Sequence, residues 1–128
     1  MNAVHTVAIL ATIQFSVFSM LVGRARLKSG LAAPAVVGDE HFERAYRVQM
    51  NTLEQLACFL PALLIAGHYW SPTLVALTGV VYLVGRLLFW RAYMTDPKSR
   101  ALGFALSFVP TALLMLAALA GALFGSAG

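Results

Sequence analysis

Apolar residues along this chain fall into four long blocks, and the polar residues between them are gathered in short, sharply bounded clusters. The blocks run from Ala3 to Gly23, Leu53 to Trp70, Thr73 to about Met94, and Leu102 to Phe124. Each approaches the ~20 residues that a helix needs to cross the hydrocarbon core of a bilayer. The pattern predicts an all-α chain, a bundle of four transmembrane helices in up-down order. Residues 1–128 then form a single integral membrane domain with spans at about 3–23, 43–70, 73–94 and 99–124.

Punctuation supports these divisions. The only long connection, "LKSGLAAPAVVGDEHFE", holds Gly30, Pro34 and Gly38 as breakers, and Asp39 or Glu40 favours the start of the next helix. That second helix is expected to begin near His41, outside the hydrocarbon, and to run into it. Ser71 and Pro72 mark a tight turn, while Asp96 and Pro97 separate the third helix from the fourth, with Pro97 suited to a first helical turn. Pro61 and Pro110 lie inside spans, where neighbouring helices can satisfy the freed carbonyl. Gly79, Gly85 and Gly103 suit close helix packing, and Thr12, Gln14, Ser16 and Ser19 are expected to form hydrogen bonds between helices. The first block is too long for the apolar region of a secretory signal, and no basic residue precedes it, so it is expected to span the membrane.

Composition agrees with this class. Hydrophobic residues make up 60% of the chain and charged residues 11%, against roughly a quarter charged in a soluble domain. Every Lys and Arg lies in or beside two connections: Arg24, Arg26, Lys28, Arg44 and Arg47 at the first, and Arg86, Arg91, Lys98 and Arg100 at the third. The positive-inside rule then places these loops in the cytoplasm and both termini on the opposite side. Tyr69 and Trp70 at one face, with Trp90 and Tyr93 at the other, match interfacial aromatic belts. The net charge of +4 therefore expresses topology and attraction to anionic membrane lipid, and no nucleic-acid partner is expected. Cys58, flanked by Leu56, Ala57, Phe59 and Leu60, is expected to be a buried thiol. His5, His41 and His68 lack metal-ligand spacing, so no metal site is expected.

The polar residues nearest the apolar blocks form an orderly set. At about 100° per residue, Arg44, Arg47, Asn51 and Glu54 share an arc of roughly 80° on the second helix, and Tyr82, Arg86, Phe89 and Tyr93 share about 60° on the third. Arg86 lies inside its span and needs a partner there. Glu54, the acid placed within a span, is the candidate, and an ion pair between Glu54 and Arg86 would join the two helices. Two readings stay open on spacing: interhelical ties with basic side chains reaching headgroups, or a shared polar site. An Arg-rich site with one carboxylate and one amide suits a small ligand bearing carboxylates and an amine, because guanidinium groups hold carboxylates through paired bonds. If the ligand carries a thiol, an adjacent Arg stabilises the thiolate and lowers a pKa that starts near ~8.5. Glutathione fits that description.

"FERAYRVQMNTLE", followed by "GRLLFWRAY" and then Arg100, resembles the MAPEG family, the membrane-associated proteins in eicosanoid and glutathione metabolism. The shared pattern is E-R-x-x-R-x-x-x-N-x-x-E at Glu43, Arg44, Arg47, Asn51 and Glu54. The likeness is strongest to the branch holding leukotriene C synthase and the microsomal glutathione transferases. The resemblance implies a homotrimer with glutathione bound between neighbouring subunits near the cytoplasmic face. Arg47, Asn51, Glu54 and Tyr93 would bind it from one subunit, with Arg26 and Gln49 reaching in from the next. Arg100 would activate the thiol. Gln55 and Phe89 stand where the synthase has tyrosines, so each lacks a phenol hydroxyl.

The function expected from this likeness is conjugation of glutathione, a co-substrate and not a resident cofactor, to lipophilic electrophiles, with reduction of lipid hydroperoxides as a further activity. A bacterial inner membrane is the expected location. The family also holds a non-enzymatic lipid-binding member, which makes a binding or scaffold role the alternative. A small four-helix multidrug exporter is a weaker match, because such transporters rely on an acid in the first span and here that span has none.

Overall fold

The computed structural model describes residues 1–125, and its regular structure is all helical. It consists of α1 (Asn2–Ser29), α2 (Glu40–Tyr69), α3 (Pro72–Thr95), a 3-10 turn (Pro97–Ser99) and α4 (Ala101–Phe124). The last three residues of the expected domain lie outside the described residues. All four helices are long and apolar enough to cross a membrane.

Two helices outrun their apolar blocks. α1 continues past Gly23 and carries Arg26 and Lys28 in its last turn, where cations complement the carbonyl end of the helix dipole. It stops at Gly30, whose φ of 73° is left-handed and whose N–H reaches back to the Arg26 carbonyl. α2 starts where Asp39 accepts a bond of 2.9 Å from the Phe42 N–H, with Glu40 and Glu43 in its first turn. Its 30 residues make a rod of ~45 Å, longer than the ~30 Å hydrocarbon core. The first turns of α2 therefore stand clear of the hydrocarbon and can carry charge. Ser71 caps α3 with Pro72 at its first position, as the turn chemistry requires.

Side-chain registers reveal helix directions. Ser19 of α1 meets Gln49 of α2 while Val4 lies against Gly67, so these two helices run antiparallel. Phe59 stacks on Tyr82 with ring centroids 3.8 Å apart, and Asn51 meets Arg86, so α2 and α3 are antiparallel too. The shared core takes Val4, Val7 and Ala11 from α1, Leu56, Phe59 and Leu63 from α2, Val75, Ala76 and Tyr82 from α3, and Leu114 and Ala118 from α4. Large apolar side chains also cover the outside, among them Ile9, Met20, Leu77, Leu113 and Leu116. A bundle apolar on both inner and outer faces belongs in lipid.

α3 and α4 approach backbone to backbone. A Cβ on Gly85 would come within 2.6 Å of the Leu106 carbonyl carbon, and one on Gly103 would collide with the Phe89 backbone, 2.6 Å from its Cα. Gly103, Ser107 and Thr111 make a small-residue stripe on α4, and both hydroxyls bond carbonyls of their own helix. Gly103→Leu is accordingly expected to force the helices apart at about 1–3 kcal/mol or more. Thermal unfolding in detergent would read this as a lower midpoint; an unchanged midpoint would show that the close approach does not exist in solution. Of the polar residues in α1, Gln14 and Ser19 do form interhelical bonds, to the Leu83 carbonyl at 2.9 Å and from Gln49 at 3.0 Å. Thr12 and Ser16 do not. Each bonds the carbonyl four residues back, the nearest acceptor to a hydroxyl on a lipid-facing turn.

Candidate functional site

On α2, Arg47, Met50, Asn51 and Glu54 follow the i, i+3, i+4, i+7 spacing of one helix face, and they form one wall of a cavity of about 440 Å³. Phe89 and Tyr93, one turn apart on α3, form the second wall, and Arg100 and Phe104 at the start of α4 complete it. The turn before α4 sets Arg100. The Asp96 carboxylate accepts from the Lys98 N–H at 3.2 Å, and the Ser99 hydroxyl donates to the Asp96 carbonyl at 2.7 Å. Arg100 itself donates through Nη1 to the Pro97 carbonyl at 2.7 Å, and its Cζ lies 6.0 Å from the centre of the Tyr93 ring.

Five expected site residues, Arg47, Asn51, Glu54, Tyr93 and Arg100, thus share one cavity. Its charged lining is two guanidiniums and one carboxylate, and neither Arg47 nor Glu54 enters an ion pair with a described residue. An anionic ligand with one cationic group would match it. Arg26 and Gln49 lie elsewhere, toward α1. Arg26 stacks 4.5 Å over the Phe42 ring and donates to the Ala35 carbonyl at 2.8 Å, while Gln49 donates to Ser19.

The Glu54–Arg86 ion pair expected from the sequence is not formed. Arg86 is wholly buried and donates from Nη1 to Asn51 Oδ1 at 2.8 Å and to Thr52 Oγ1 at 3.2 Å. The reason is rotational. Thr52 faces the α2–α3 seam, and Glu54, two residues on, lies about 160° around the helix from it, turned toward the cavity. Arg44 also leaves the expected stripe's common role. It pairs with Glu40 and donates to the Met94 carbonyl at 3.0 Å, closing the C-terminal end of α3. Cys58 is exposed, not buried. Its apolar neighbours in sequence do not bury it, because the outer surface of a bundle in lipid is itself apolar.

Three contributors were not singled out from the sequence. Met50 and Phe104 are apolar lining residues, and the i+4 step from Met50 to Glu54 and from Arg100 to Phe104 is the signal that could have found them. Thr52 carries no such signal, because it becomes a partner only through the packing of α3.

Four long apolar helices define an integral membrane protein, and α2, α3 and the start of α4 enclose a cavity lined by two guanidiniums and one carboxylate. The chain matches the model of the MAPEG family over residues 4–120 and belongs to that family. Microsomal glutathione S-transferase 2 of Homo sapiens is 41% identical over 110 residues, covering 86% of this chain and 75% of that protein. Leukotriene C4 synthase of Cavia porcellus is 37% identical over 95 residues, covering 74% of this chain and 63% of that one. An uncharacterised protein of Synechocystis is 46% identical over 110 residues, covering 86% and 80%.

Proposed function

We propose that the protein is a membrane glutathione transferase, which binds the tripeptide in the α2–α3–α4 cavity and joins its sulfur to lipophilic electrophiles arriving from the bilayer. The observation that carries this reading is the convergence of Arg47, Asn51, Glu54, Tyr93 and Arg100 on one cavity. Arg47 and Asn51 receive ligand carboxylates, Glu54 receives the ammonium, and Arg100 holds the sulfur as thiolate. The thiolate attacks an electrophilic carbon and forms a C–S bond. With an aryl halide, halide leaves with the bonding electrons, and the thiol proton passes to solvent. Reduction of a lipid hydroperoxide is the second chemistry open to the same thiolate: two thiols become a disulfide while the hydroperoxide becomes an alcohol and water.

The working assembly in this reading is a homotrimer whose site faces the cytoplasm of a bacterial inner membrane. Arg26 and Gln49 of each copy then serve the cavity of the next. The exposure of Arg47 and Glu54 on a single chain supports this assembly, since unpaired charge near the hydrocarbon is unfavourable until another surface or a ligand covers it. The test is conjugation of glutathione to an aryl halide by purified protein, with Arg100→Ala beside it. Wild-type turnover no faster than the variant removes the catalytic reading. A non-enzymatic lipid-binding role draws its support from Phe89, whose ring lines the cavity without a hydroxyl.

A further inference from the structure

Arg86 is a full cation, 0% exposed, on a membrane helix, and no carboxylate among the described residues pairs with it. One nitrogen, Nη1, bonds Asn51 and Thr52; Nε and Nη2 have no partner among the described residues. The guanidinium also lies 4.3 Å over the ring of Phe89. Both Asn51 and Phe89 line the cavity, so the cation stands directly behind its wall.

A guanidinium has donors and no acceptor. The amide of Asn51 must therefore turn its oxygen to Arg86, which leaves its NH₂ as the group available to a ligand. No described residue accepts from that NH₂, and the Arg86 bond is the one the Asn51 side chain makes. We propose that Arg86 is a positioning residue: it locks the Asn51 amide with its N–H groups offered to the cavity, so that position 51 selects a ligand carboxylate. This inference rests on the glutathione reading and specifies one part of it. It also accounts for the choice of a neutral partner. Had Arg86 paired with Glu54, the carboxylate would be neutralised; bonded to Asn51, it leaves Glu54 charged for the ligand's ammonium.

Asn51→Asp separates positioning from mere helix tying. The aspartate keeps an acceptor for Arg86, and adds a charge to it, but removes the N–H groups. Its thermal midpoint should equal or exceed that of the wild type, while its glutathione Kd by calorimetry should rise at least tenfold. Arg86→Lys, which keeps the charge without the planar fork, should raise KM several-fold with kcat within about threefold. A second readout does not depend on turnover. The chain has two asparagines, Asn2 and Asn51, so ¹⁵N-asparagine labelling resolves the Asn51 side-chain amide by NMR. Its resonances should shift in Arg86→Met and Arg86→Lys, and should move on adding glutathione to the wild type.

An Asn51→Asp protein that binds glutathione as the wild type does overturns the proposal. So do Asn51 amide signals indifferent to both Arg86 variants. If those signals respond to Arg86 but the wild type binds no glutathione, the positioning contact stands and the transferase reading is what fails.

Discussion

Arg100→Ala is expected to lower kcat/KM for glutathione conjugation by about 10²–10³-fold, the loss typical of removing one preorganised donor from a developing or resident anion. The turn that precedes α4 sets Arg100 in the cavity wall. One of its nitrogens is spent on the Pro97 carbonyl, which anchors the side chain, and no other side-chain bond ties it to a described residue where it lines the cavity beside Tyr93. The pH profile gives the sign of the effect. In the proposed mechanism the guanidinium holds the bound thiol's pKa below the ~8.5 of a free thiol, which makes thiolate available at neutral pH; without it, thiolate would appear only as pH rises through that value. The deficit of Arg100→Ala should therefore narrow between about pH 7 and pH 9. Rates that fall in parallel at every pH would assign Arg100 a role other than holding the thiolate.

Arg47→Ala should raise the glutathione Kd about 10–100-fold, from the loss of a charge-assisted contact of about 1.5–3 kcal/mol. KM should follow, and kcat should change little, because in the proposed binding mode the side chain holds a carboxylate remote from the sulfur equally in ground and transition states. Arg47 forms no ion pair with a described residue. Its removal strands no buried carboxylate, so the thermal midpoint should stay near that of the wild type. Calorimetry in detergent measures this directly. Wild-type binding that is saturable and insensitive to Arg47→Ala would move the ligand out of this cavity. Absence of saturable binding altogether would favour the lipid-binding alternative.

The polar stripe on α2 was legible because helical periodicity is local: Arg47, Asn51 and Glu54 share a face whatever surrounds them, and they do line one cavity. Tyr93 was legible for the same reason on α3. Partner choice across helices was not. Glu54 and Arg86 looked complementary as charges, yet Arg86 meets Asn51 and Thr52, since the rotation of α2 against α3 is set by packing along the whole seam. Phe59 stacking on Tyr82, and Leu63 lying against Gly79, are parts of that seam. Cys58 shows the same limit from the other side. An apolar neighbourhood in sequence denotes a buried side chain in a soluble protein, but in a membrane bundle it equally denotes the face turned to lipid.

The four helices, their approximate ends and the cationic character of the site were determined by sequence alone. Hydrocarbon thickness dictates block length, and helical caps and prolines act within a few residues of where they stand. The closure of the cavity was decided only in three dimensions. Arg100 joins Arg47 and Tyr93 because Gly85 and Gly103 let α3 and α4 touch backbone to backbone, and the Pro97 turn then sets Arg100, the residue that precedes α4, beside the last turns of α3. That distance depends on the absence of two Cβ atoms and on how two rods cross, neither of which a periodicity along one chain can express.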